Sequence, residues 1–202
     1  SNTFIGQEAG LTTTTGSSNT AVGNLALRLN ATTDDNTAVG RSALAANVVD
    51  GSTAVGRSAL TANTTGVQNT AVGKDALLTN TTAARNTAVG YQALYTNNAA
   101  DNTAVGRTAL QTNSTGQRNT AVGAYALDQN TTAGFNTGIG SYALKLNTTG
   151  AQNTAVGDHA LKSNTTASLN TAVGQGAMLE NTTGTRNIAI GANAYQNSDT
   201  EA

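Results

Sequence analysis

A glycine preceded by a β-branched residue returns every 16 or 17 residues along the whole chain, at Gly6, Gly23, Gly40, Gly56, Gly73, Gly90, Gly106, Gly123, Gly140, Gly157, Gly174 and Gly191. A period of this length marks stacked-repeat architectures, in which each unit touches only its neighbours. Twelve units fill residues 1–202 as a single repeat domain without a linker. Each reads Asn-Thr-Ala-Val-Gly, two free positions, Ala-Leu, two free positions, Asn-Thr-Thr-Gly/Ala, and two more free positions. One unit supplies Asn69, Thr70, Val72, Gly73, Ala76, Leu77 and Asn80. Stacked in register, these residues are expected to form ladders with their equivalents above and below.

The fixed positions tolerate different things. The third residue after the glycine is always Ala, and the next is Leu except at Gly10, Met178 and Tyr195. Ile188 and Ile190 replace Thr and Val in the last unit, so both positions accept apolar side chains on one strand face. That face is expected to point inward, leaving Leu as an exposed ridge. The two 16-residue units lose a residue between Asn47 and Ser52 and between Asn97 and Asn102, which predicts an adaptable corner after the second Asn. Charges such as Arg41, Arg57, Lys74, Asp75, Lys145, Asp158 and Glu180 fall in the free pairs, which are expected to face water.

A helix does not fit this pattern. No apolar series at i, i+3, i+4 and i+7 persists, and Thr, Val, Asn and Gly are weaker helix formers than Ala. Thr-Ala-Val alternates like a short strand, and Gly then supplies a bend or a close backbone approach. The reading is an all-β fold: a parallel β-solenoid or β-roll of twelve coils of about 17 residues. Strand spacing of about 4.8 Å gives a rod roughly 55 to 60 Å long. Burial of one Val and one Leu per coil falls short of the entropy lost on ordering it. A core shared among copies is the expected remedy, with a monomeric three-sided β-solenoid as the alternative.

Composition narrows the function. Charged residues make up only 10% of the chain and the net charge is -1, without the clustered Lys and Arg of a nucleic-acid binder. No apolar run approaches the roughly 18 residues that span a bilayer. With 0 Cys there is neither a disulfide framework nor a thiolate metal site.

The blocks Asn19 to Gly23 and Asn187 to Gly191 resemble the YadA-like head repeats of trimeric autotransporter adhesins. The whole chain resembles still more closely the related repeat arrays of bacterial and phage surface and tail fibres. This resemblance implies a left-handed homotrimeric β-roll with inward positions matching Thr20, Val22 and their equivalents. It also implies an extracellular, non-enzymatic module: a fibre shaft, a spacer or a repetitive adhesive rod on a cell surface, secreted filament or virion. Unpaired strand edges at both ends of the sequence suggest a piece of a longer fibre or head-to-tail joining into a filament.

Chemistry is sparse. His159 is the one His and is read as a solvated surface residue. Asp34 and Asp35 are adjacent on an extended segment and point to opposite faces. No catalytic, metal or cofactor site is expected. Asn30, Asn63, Asn80, Asn113, Asn130, Asn147, Asn164 and Asn181 open N-x-S/T glycosylation patterns, but their spacing favours a buried ladder along a coil corner. Stacked Thr pairs such as Thr81-Thr82 and Thr148-Thr149 support an alternative function, ice binding, although Ala31, Val48-Val49 and Asn98-Ala99 interrupt them. Tyr91, Tyr95, Tyr125, Phe135 and Tyr142 occupy free positions, where exposed aromatics anchor interfaces or stack on sugars. Contact between subunits is the preferred reading, a glycan or receptor patch the second.

Overall fold

The computed structural model describes residues 1–195; the rest of the last unit, residues 196–202, lies outside them. Each unit contributes one three-residue strand: β1 Thr3–Ile5, β2 Thr20–Val22, β3 Thr37–Val39, β4 Thr53–Val55, β5 Thr70–Val72, β6 Thr87–Val89, β7 Thr103–Val105, β8 Thr120–Val122, β9 Thr137–Ile139, β10 Thr154–Val156, β11 Thr171–Val173 and β12 Ile188–Ile190. All twelve pair in parallel and in chain order within one sheet. The register never slips: Thr70, Ala71 and Val72 lie opposite Thr87, Ala88 and Val89. The described chain is therefore an all-β parallel solenoid, with about one 17-residue turn between successive strands.

Glycine ends each strand for a steric reason. At Gly73 the backbone takes φ 135°, and a Cβ there would sit 2.4 Å from the Gly90 carbonyl oxygen of the next turn. The same close approach lets the Gly90 N–H donate to the Val72 carbonyl at 2.7 Å. Beyond the strand the coil runs as bends and turns, yet pairing between turns continues around it. The Leu77 N–H reaches the Ala93 carbonyl at 3.0 Å, the Asp75 N–H the Arg57 carbonyl at 2.9 Å, and the Thr64 N–H the Thr81 carbonyl at 2.8 Å. Backbone groups that the short strands leave open are thus satisfied by the neighbouring coil.

Two expectations about direction reverse. The strand residue facing the interior is Ala: Ala21, Ala71 and Ala155 are fully buried, while the flanking Thr and Val are only partly covered and lie on the outer face of the sheet. Leu is no ridge either. Leu27, Leu77, Leu127 and their equivalents are fully buried and form the bulk of the core with the two Ala columns. A coil of this circumference holds one large side chain per turn, and Leu takes that place. It does so in the left-handed backbone region, φ 50° at Leu77 and 52° at Leu127, where β-branched residues fit poorly.

The first coil confirms the volume rule by exchange. Phe4 stands where ten other strands carry Ala, and Gly10 stands where most coils carry Leu; a Cβ on Gly10 would lie 2.6 Å from the Phe4 ring. The ring occupies the space that Leu fills elsewhere.

Candidate functional site

Two Asn ladders line the interior, one on each side of the adaptable corner. In the first, the side-chain oxygen of Asn69 accepts the Asn86 backbone N–H at 3.0 Å, and its amide donates to the Ala83 carbonyl at 2.7 Å. In the second, the Asn130 amide donates to the Asn113 side chain at 2.9 Å and to the Ala133 carbonyl at 2.9 Å. The Asn130 oxygen then receives the Asn147 amide at 2.9 Å. Every Asn of the N-x-S/T patterns is fully buried, so the folded rod offers no room for sugars. The seven ladder residues of the consensus unit divide accordingly: Asn69, Ala76, Leu77 and Asn80 inside, Gly73 at the turn, Thr70 and Val72 on the outer sheet face.

The two short units strain the first ladder. Ser52 takes an Asn position, and its hydroxyl is buried without a partner; Asn86, facing the second short unit, has an amide nitrogen in the same condition.

The outer sheet face carries two unbroken columns. Thr occupies the first position of eleven strands from Thr3 to Thr171, and Val or Ile the third position of all twelve. Among the described residues, the hydroxyls of these strand threonines make no hydrogen bond within the chain. The corner threonines behave differently: Thr64, Thr131 and Thr148 donate their hydroxyls to the Thr81, Thr148 and Thr165 carbonyls at 3.0 to 3.1 Å. The corner pairs proposed for ice matching have thus spent half of their hydroxyls on the fold.

The aromatic residues do not form one patch. Tyr125 and Tyr142, both two residues after a motif glycine, stack with centroids 5.0 Å apart. His159 continues the stack at 4.9 Å from Tyr142 and meets Asp158 at 2.7 Å, so it belongs to a ladder instead of standing alone in water. Lys145 lies over both tyrosine rings at 5.4 and 5.2 Å, and Arg107 over Tyr125 at 5.3 Å. Tyr91 sits under Lys74, Phe135 under Arg118 on the far side of the strand, and Tyr95 shares the Lys145 column. The expected subunit-contact or receptor patch thus divides among several columns, and the signal for the stacked part of it was the equal offset of Tyr125, Tyr142 and His159 from the repeating glycine.

Few groups titrate unusually. A hydrogen bond from Arg85 at 2.6 Å holds the exposed Asp101 carboxyl below the usual carboxylate range. Burial pushes the half-buried Asp128 carboxyl up against the opposing pull of Lys145, and its Oδ1 is enclosed without a partner. Among the described residues no group of three His, Cys, Asp or Glu could hold a metal, and no helix is long and apolar enough to cross a membrane.

No family model, curated protein or solved structure matches the chain.

Proposed function

We propose that this chain is a non-enzymatic, extracellular rod module, a fibre shaft or adhesin-like spacer, that assembles with copies of itself through the Thr and Val face of its sheet. The observation that carries the reading is the fidelity of that face. Exposed strand positions in an isolated rod accept many residues, as the free pairs here do, yet these two columns repeat as faithfully as the buried Leu column. A face without charge and with a methyl-bearing side chain at every position suits an identical face. The adhesin resemblance makes the assembly a left-handed homotrimeric roll with these faces turned to its axis.

Light scattering on the purified protein tests this. The assembly is expected at three times the 20.2 kDa chain mass. Replacing both Val72 and Val89 by Lys should reduce it to single chains. A wild-type monomer, or a double variant of unchanged mass, overturns the reading.

Ice binding is the second reading, and the uninterrupted strand Thr column favours it more than the corner pairs do. It needs the same face free in the monomer, so thermal hysteresis from a 20.2 kDa species would select it over self-assembly.

A further inference from the structure

The position directly after the motif glycine holds Arg41, Arg57 and Lys74 in three successive turns, then Tyr91 and Arg107 in the next two. All five are exposed. Equivalent positions in neighbouring turns are about 4.8 Å apart, so this column stacks like charges at a spacing where they repel. Elsewhere the same position holds Gln, Asn, Ala, Ser or Asp, so the fold does not require the cations. Among the described residues, Arg41, Arg57 and Arg107 have no carboxylate within ion-pair distance, and Lys74 has only Asp75 at 3.8 Å.

The charge does not stop at Arg107. Its guanidinium covers Tyr125, and the Tyr125, Tyr142 and His159 stack leads on to Lys145 and Lys162, the latter 5.9 Å from the Tyr142 ring. Cations and aromatic rings therefore form one continuous strip along an edge of the rod, in which Asp75 lies 3.8 Å from Lys74 and Asp158 2.7 Å from His159, in a protein whose net charge is -1.

We propose that this strip binds an extended acidic polysaccharide laid along the rod axis. Carboxylates along such a chain would relieve the stacked positive charge through charge-assisted hydrogen bonds to the Arg and Lys side chains. The tyrosine edges and hydroxyls offer apolar and hydrogen-bonding contact to sugar rings. Nucleic acid fits less well, because the strip holds one column of cations and lacks the broad field that a duplex backbone demands.

Binding of polygalacturonate oligosaccharide to the intact rod, followed by calorimetry at low and moderate salt, tests the proposal. Binding is expected at low salt and should weaken as salt rises. The triple variant R41Q/R57Q/K74Q, and separately Tyr142→Ala, should each raise Kd at least tenfold. Arg186→Gln, on the opposite side of the strand, should bind as wild type. Circular dichroism and mass of each variant establish that the rod and its assembly are unchanged, so this result is independent of copy number. Absent binding, an equal loss in Arg186→Gln, or equally tight binding of a DNA duplex overturns the proposal.

Discussion

At the scale of single residues, stability rests on side chains that complete hydrogen bonds between turns. Ser52 is where that completion fails: too short for both ladder bonds, it leaves its own hydroxyl buried and unpartnered. Ser52→Asn restores the amide and carbonyl present at Asn36 and Asn69, and is expected to stabilise the rod by about 1 kcal/mol, seen as a higher urea midpoint. Asp128 is the other residue at odds with its surroundings. Because burial raises its carboxyl, the protonated form is favoured in the folded state; its contribution is present at acid pH and is lost as pH rises through the raised value. Asp128→Asn should therefore raise the melting temperature at pH 7, by an amount worth under about 1 kcal/mol since the group is half in water. The gain should vanish toward pH 3, and a gain that persisted there would point to packing instead of charge. The Asn ladders were legible in the sequence because their period and polarity left few other uses for so many amides. The orphan at Asn86 was not, because it arises from a shortening in the following turn.

At the scale of the element, alternation along Thr-Ala-Val establishes that Ala and its neighbours face opposite ways, but not which way is in. The expectation followed Ile188 and Ile190, whose apolar character points to a buried face; both are instead exposed, at 75% and 72%. The deciding quantity is interior volume. One turn encloses a strand Ala, an Ala-Leu pair and two Asn side chains, leaving no space for Val as well. A second signal lay unread in the motif: the Leu position admits Gly, Met and Tyr but never Val or Ile, although the strand position admits both. That exclusion is the mark of a left-handed backbone. Leu127→Ile, nearly equal in volume, should accordingly cost about 1 to 3 kcal/mol, whereas Leu127→Met should be close to neutral, as Met178 already occupies the equivalent site at φ 52°. Equal urea midpoints for the two variants would remove the backbone explanation.

At the scale of the whole molecule, identical turns in register make length a free variable while coil circumference is constrained. Each turn contacts the one before and the one after, so stability is a sum of like interfaces and no coil is unique to the fold. Removing residues 74–90 excises 17 residues and places Thr103 opposite Thr70, in the phase that every existing pair already uses. The shortened rod should fold, keep its circular dichroism per residue, and lose about 4.8 Å of length by small-angle scattering. Removing a single residue is a different operation. The chain tolerates it after the second Asn, where the two natural short units lie, at the price of one unpartnered polar atom near each. Between Leu127 and Asn130 the spacing is that of every unit from Leu27 and Asn30 to Met178 and Asn181. Deleting Gln129 shifts the Asn130 amide away from Asn113 and Ala133 and turns the following corner out of phase with both neighbours. Hydrogen exchange should then show the amides around that turn opening while those of distant coils stay protected. Uniform exposure along the rod would mean that the turns unfold as one body, and uniform protection that the corner absorbs the deletion as the natural short units do.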